Sequence, residues 1–436
     1  QTIWEDELDE WLDHFDSMKK NKYKRLLLEY MDRSTHQEFL RYANKTDVFM
    51  KSNEMLFRCN DGLMGLKPRV IINVSARIQL LVGPHVWRAQ QNLKTIWSFK
   101  LKFRKFSHGK WNCQISVTYA GAATDKLLTE WLEQVLSPSD LPKICIIVCG
   151  DDSLVITNVR GFWEVIEGDA SMFDQSQSFG PLKAAHWFDR FLGIPQETIT
   201  VLFKLARNVY VVYSRKEDRI LVIDKQGRPL RDTGGADTSL NNSIVMAIAW
   251  IYVLAFCAEI GSLDFLYIVE FFKSLGFDMK LKSGSVTSCT FLKGMWYHTT
   301  EGLTWGPLPS RFLKMGKSLS DPRVLYKTKD LRLAAERFLS DVASSYQFFL
   351  QVPLIKEFVQ TFRKNHVILH EPLEKHQVQT TTMCQRKLTH EAFDQIYERY
   401  GFDEEELQHT LALFPKNPFV FYSSPIFIKM AAVDYF

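Results

Sequence analysis

Several features that would narrow the class of this 436-residue chain are missing. Its seven cysteines (Cys59, Cys113, Cys145, Cys149, Cys257, Cys289 and Cys384) are odd in number and scattered, with no CxxC pair and no zinc-ligand spacing. That excludes a disulfide scaffold and a zinc module, and a reduced intracellular compartment is the expectation. No HExxH or similar metal-ligating His pattern occurs. No Gly/Ser- or Pro-rich linker and no repeat of 20–50 residues marks a boundary. The longest apolar run, Ile244–Ala258, has 15 residues, short of the roughly 20 that cross a bilayer, so it reads as a buried helix and no transmembrane segment is expected. Charge of one sign is also scarce: 54 Lys plus Arg against 50 Asp plus Glu leave a net +4. That balance neither requires nor excludes a nucleic-acid partner. The first residues are acidic and aromatic, unlike a signal peptide. Opening on Gln1 rather than Met is expected of a processed product or a fragment.

Apolar residues make up 46% and aromatics 13%, with 32 Phe and 11 Trp. A chain of this size can bury a large core without staples. Residues 1–45 carry apolar residues at helical spacing (Trp4, Leu8, Trp11, Leu12, Phe15). Residues 99–105 alternate, which as a strand sets Lys100, Lys102 and Arg104 on one face. That face reads either as a solvated edge or as a wall for phosphates. A helix is expected over 123–136. Two apolar runs, 144–149 and 154–157, flank Gly150-Asp151-Asp152 and read as a hairpin. A strand over 162–166 leads into Glu167-Gly168-Asp169, followed by a helix through Phe191. A second hairpin is expected at 209–213 and 220–223, then a helix from about Thr238 to Ile260, another over 265–275, strand-like runs at 277–281 and 286–297, and helices from about 310 onward. The expected class is mixed α and β (α+β).

Three groups of residues carry candidate chemistry. Asp151 and Asp152 at a turn, Asp169 at the end of the next strand and Asp174 five residues on make an acidic constellation. Gly-Asp-Asp alone is a weak signal, since Asp is common in turns. Carboxylates converging from two strands repel unless a cation neutralises them, and oxygen donors suit Mg²⁺ or Mn²⁺. Secondly, Thr238 and Asn242 lie four apart on one helical face after Gly234-Gly235. They read either as helix-start residues or, with Asp174, as a donor–acceptor set for a ribose 2′-hydroxyl. Lastly, Lys51, Arg58, Lys67 and Arg69 are either a solvated face or a cationic fork for a triphosphate.

Together these segments resemble viral RNA-directed RNA polymerases. Lys51 and Lys67-Pro-Arg69 resemble motif F, Asp169-x4-Asp174 motif A, and Thr233-Gly234-x3-Thr238-x3-Asn242 motif B with Thr in place of Ser. Gly150-Asp151-Asp152 matches motif C, Leu275–Ser283 is similar to motif D, and Thr290–Gly294 to motif E. Motif C precedes A, an order similar to the permuted polymerases of permutotetraviruses and, more distantly, birnaviruses. A catalytic constellation is spatial, so chain order does not bar the chemistry.

The resemblance implies a right-hand architecture: an N-terminal extension and fingers over 1–143, palm over 144–180 and 233–298, a fingers insertion over 181–232, and a mostly helical thumb over 299–436. The palm would be an antiparallel sheet with helices. The resemblance further implies two-metal nucleotidyl transfer with Mg²⁺ or Mn²⁺ on Asp151, Asp152 and Asp169. Lys282 would be the general acid, with Lys280 its rival. Lys51, Arg58, Lys67 and Arg69 would grip the triphosphate, and Asp174, Asn242 and Thr238 would select ribose. Implied partners are an RNA template, a primer or nascent strand, nucleoside triphosphates and other viral replication proteins. The implied setting is a replication complex in host cytoplasm, or the virion. The competing readings are a reverse transcriptase-like enzyme, disfavoured by Asp174 and Asn242, and an inactive RNA-binding scaffold, disfavoured by three intact acidic positions.

Overall fold

Six strands form the sheet that carries the acidic residues. The computed structural model describes residues 2–43, 47–50, 58–59, 62–63, 70–207, 209–214, 219–224, 230–314, 327–334, 337, 350–356, 385–413 and 424–435. The chain divides into two units, one of residues 1–51, 68–122 and 137–283, the other of 52–67, 123–136 and 284–436.

The first unit opens with helices α1 (Thr2–Asp13), α2 (Ser17–Met31) and α3 (His36–Ala43). Strands β1 (Asp47–Met50) and β2 (Val70–Asn73) pair antiparallel and lead into α4 (Ala76–Ile96). Leu8, Trp11, Leu12, Tyr23, Leu26, Phe39 and Leu80 bury together, and the Tyr23 hydroxyl donates to Gln79 Oε1 at 2.6 Å. The helical spacing of the first 45 residues thus becomes one apolar seam.

The sheet follows: β3 (Arg104–His108), β4 (Trp111–Tyr119), β5 (Lys143–Cys149), β6 (Asp152–Thr157) and β7 (Glu164–Ala170), with β10 (Met279–Gly284) at the far edge. Its spatial order is β10-β7-β6-β5-β4-β3. The sheet is mixed: β5, β6 and β7, in the range expected of the palm, pair antiparallel, whereas β4 and β5 run parallel. Parallel neighbours need a crossover, and the connection between them carries the helix Asp125–Leu136. Every residue of β5 from Lys143 to Val148 is buried, which explains its unbroken apolar run.

Between β7 and β10 come α5 (Phe173–Ser176), α6 (Phe179–Phe191), α7 (Gln196–Leu205), the hairpin β8 (Val209–Ser214)–β9 (Arg219–Asp224), α8 (Thr238–Ile260) and α9 (Phe265–Ser274). By length and composition α8 could span a membrane. Here it is a core helix whose Val245, Met246, Trp250, Val253 and Leu254 join Ile144, Ile146, Val155 and Ile166 of the sheet. Trp250 is fully buried, edge-on to Phe272 at 4.9 Å, and its indole N–H donates to Ser153 Oγ at 2.9 Å.

Two expectations are corrected. Residues 99–103 form no strand; the ladder begins at Arg104. Ser98 Oγ bonds Lys100 O and Lys102 Nζ bonds Thr95 O, holding the segment as a connection. Exposure still alternates along it, so the pattern was real without a ladder. The helix expected through Phe191 is two helices, broken at Gln177 and Ser178.

The second unit pairs Arg58–Cys59 with Gly62–Leu63, and Gly294–Thr299 with both Thr290–Phe291 and Gly302–Pro307. Thr290–Gly294, the segment likened to motif E, is a hairpin turned by Leu292 and Lys293 at positive φ (+51° and +58°). The helix Asp125–Leu136 sets Trp131 beside Trp296 in a tilted pair (6.2 Å), and Leu128 O accepts the Trp296 indole N–H at 3.1 Å. Helices His390–Tyr400, Glu404–Leu413 and Pro425–Tyr435 follow, with Arg399 and Tyr400 both bonded to the Asp434 carboxylate at 2.7 Å.

Candidate active site

The turn between β5 and β6 has two residues, Gly150 and Asp151, between the paired Cys149 and Asp152. Gly150 has φ +65° while Asp151 is not left-handed, the pattern of a type II′ hairpin turn, which requires Gly first. The Gly150 N–H donates to Ser243 Oγ of α8 at 2.7 Å, and Ser243 donates on to Ser239 O. The acidic turn is therefore clamped to the helix that carries Asn242. Ser243 had no role in the sequence reading, because nothing local links it to a turn 93 positions away.

Asp169 lies on β7, which extends to Ala170, and its Cα partner across β6 is Asp152. The neighbouring pair, Ser153 and Gly168, faces Trp250, with Ser153 Oγ donating to Gly168 O at 2.9 Å. Alternation then turns Asp152 and Asp169 to the face away from α8. Asp169 is exposed; Asp151 and Asp152 are half-buried. Burial, reinforced by the Asp152 and Asp151 carboxylates, pushes the Cys149 thiol up to about 11, so it is protonated at neutral pH.

Past β7 the chain reverses at Met172, left-handed at φ +49°, and Asp174 enters α5. Asn242 Nδ2 donates to Asp174 Oδ1 at 2.7 Å. Residues 68 positions apart in sequence thus meet. Burial pushes the Asp174 carboxyl up, the Asn242 hydrogen bond and Arg231 pull it down, Asp151 pushes it up and a Thr233 hydrogen bond lowers it. The net direction is upward, so ionising Asp174 costs stability as pH rises through its folded value. Asp174→Asn is expected to melt higher than the original chain at pH 7, with the gap closing as pH falls through the acid range. Thermal unfolding across that range measures it; a gap that widens toward acid would contradict it.

Ahead of α8, Gly234 bridges to Asn73, with its N–H on Ile72 O at 2.9 Å. A Cβ there would stand 2.8 Å from that carbonyl oxygen and 2.9 Å from Asn73 Cα, so only Gly fits. Thr238 starts α8 on the same face as Asn242, but its hydroxyl donates to Asp232 O at 2.5 Å. It closes its own loop rather than joining Asp174.

Lys280 and Lys282 are both exposed on β10, which neighbours β7 in the sheet. Alternation sets them on one face, opposite the buried Met279. Of the cationic fork, Lys51, Lys67 and Arg69 lie outside the described residues. Arg58 belongs to the strand Arg58–Cys59, opposite Leu63.

Among the described residues no three His, Cys, Asp or Glu groups are gathered closely enough to hold a metal ion. The register nonetheless puts Asp152 and Asp169 directly opposite each other, with Asp151 next in chain. Like charges so placed repel on a strand pair, and a divalent cation reverses the sign. By donor chemistry alone, an all-oxygen set is the kind that a hard cation such as Mg²⁺ or Mn²⁺ takes. Comparison with protein-family models gives no match, and comparison with curated proteins gives none either.

Proposed function

We propose that the chain is an RNA-directed RNA polymerase with a permuted palm, transferring nucleotides to an RNA 3′-hydroxyl on an RNA template. The observation that carries this reading is the juxtaposition of three separate segments. The Gly150-Asp151-Asp152 turn pairs with the strand bearing Asp169, and Asp174 beyond that strand bonds Asn242 of the helix that clamps the turn.

In this reading the chain's own groups divide the work. Asp151, Asp152 and Asp169 would hold Mg²⁺ or Mn²⁺, whose chemistry there is to acidify the 3′-hydroxyl and neutralise phosphate charge. The Asp174 carboxylate accepts from the ribose 2′-hydroxyl while Asn242 fixes its orientation. Lys282 or Lys280 donates a proton to the departing pyrophosphate, and Lys51, Arg58, Lys67 and Arg69 grip the triphosphate. Base choice comes from template pairing. The fingers, palm and thumb assignments, the RNA and nucleotide partners and a place in a viral replication complex belong to the same proposal.

The test is Mg²⁺-dependent extension of a short RNA primer on an RNA template, with ribo- and deoxyribonucleotides run in parallel. Extension with ribonucleotides alone supports the reading. Equal use of deoxyribonucleotides would favour a DNA-making enzyme, and tight RNA binding without extension would favour a scaffold.

A further inference from the structure

A buried polar chain runs away from the Asn242–Asp174 pair into the interior of the first unit. Asn242 Oδ1 accepts from Gln177 Nε2 at 2.6 Å, and Gln177 Oε1 accepts from Arg231 Nε at 2.9 Å. Arg231 Nη1 bonds Asp237 Oδ2, which also accepts from Asn241 Nδ2 at 3.0 Å. Asn241 Nδ2 in turn reaches Asp189 Oδ2, the partner of His186 Nδ1 at 3.0 Å. Gln177, Asp189 and Asn241 are fully buried, and Arg231 is 5% exposed.

The donors between Arg231 and Asp174 all point one way. The guanidinium donates to the Gln177 carbonyl, the Gln177 amide to the Asn242 carbonyl, and the Asn242 amide to the Asp174 carboxylate. A cation at one end and an anion at the other polarise each link in the same sense. An Asn side chain alone can present either its oxygen or its nitrogen to a neighbour. Here Gln177 occupies the Asn242 oxygen, so the nitrogen must face Asp174. The backbone supports the arrangement: the helix break at Gln177 frees it from the α5 ladder, and Arg231 N–H donates to Asp174 O at 3.2 Å.

We propose that Gln177 and Arg231 are positioning residues that hold the Asn242 amide in the one orientation letting Asp174 read a ribose 2′-hydroxyl. This inference rests on the polymerase reading above. Asp237 neutralises the buried guanidinium, and the Asn241–Asp189–His186 end anchors Asp237. Sugar discrimination is thus set by residues that never touch the nucleotide. Without Gln177 the Asn242 amide is no longer held at its oxygen and can swing away from Asp174, and the carboxylate loses the fixed donor that aims it.

The test is equilibrium binding of ATP and of dATP to the whole chain in Mg²⁺. The RNA primer–template carries a 3′-deoxy end and a templating U, so no bond forms. Gln177→Met removes both contacts at similar volume. Gln177→Glu keeps an acceptor for Arg231 but has no donor for Asn242, and serves if the Met variant does not fold. The original chain is expected to prefer ATP by about tenfold or more, the worth of one good hydrogen bond. Both variants are expected to bring that ratio close to one by weakening ATP, with dATP affinity held. A merely structural role would weaken both ligands alike. An unchanged ratio in the variants would overturn the relay and leave the site standing, whereas an original chain that binds ATP and dATP alike would overturn the site reading and the relay together.

Discussion

Asp169→Ala is expected to reduce nucleotide incorporation by about 10³-fold or more while leaving the protein folded. Losing a carboxylate that would hold the charge-neutralising cation costs on the order of 4 kcal/mol of transition-state stabilisation, and each 1.36 kcal/mol is tenfold in rate. Folding should not suffer, because Asp169 is exposed and directly opposite Asp152. Its removal relieves a like-charge pair, so the variant's melting temperature without Mg²⁺ should equal or exceed the original's. The original chain should gain stability as Mg²⁺ is added and the variant much less, since a ligand that binds only the folded state stabilises it by mass action. Primer extension and thermal unfolding with and without Mg²⁺ measure both. Undiminished synthesis by the variant would overturn the metal assignment.

Trp250→Ala should have the largest effect on stability, about 3–5 kcal/mol for a fully buried Trp. For a unit of this size that is on the order of 10 °C in Tm. The loss has two parts. The indole fills the space between α8 and the sheet, edge-on to Phe272. Its N–H also anchors Ser153, whose hydroxyl bonds Gly168 O and so links β6 to β7 one residue from the Asp152–Asp169 pair. Trp250→Phe keeps most of the volume and loses the hydrogen bond with a small part of the packing, about 1–2 kcal/mol. Denaturant unfolding of the two variants separates packing from anchoring. A small change for Trp250→Ala would mean that α8 does not hold the sheet in this way.

The local elements were legible because their signals are local. The span Thr238–Ile260 follows from its apolar run and the glycines ahead of it. The β5–β6 hairpin follows from two apolar runs around Gly150-Asp151. The alternating basic segment at 99–105 misled because exposure alternated without a partner strand for residues 99–103. Alternation reports burial, and a strand also needs a ladder.

The candidate site divides in the same way. The sequence by itself determined which residue types are available: three carboxylates near a turn, Asp174 five positions after Asp169, and Asn242 four after Thr238. It also determined their order, which a permuted connectivity can carry without altering the chemistry. Only the tertiary structure decided that Asp152 lies opposite Asp169, that Ser243 clamps Gly150, and that Thr238 serves its own loop while Asn242 meets Asp174. It alone revealed Gln177 and Arg231, because their bonds span 65 and 54 positions. Such contacts leave no periodic trace. A buried polar group must find a partner wherever the packed chain brings one, and packing sets that meeting, not spacing along the sequence.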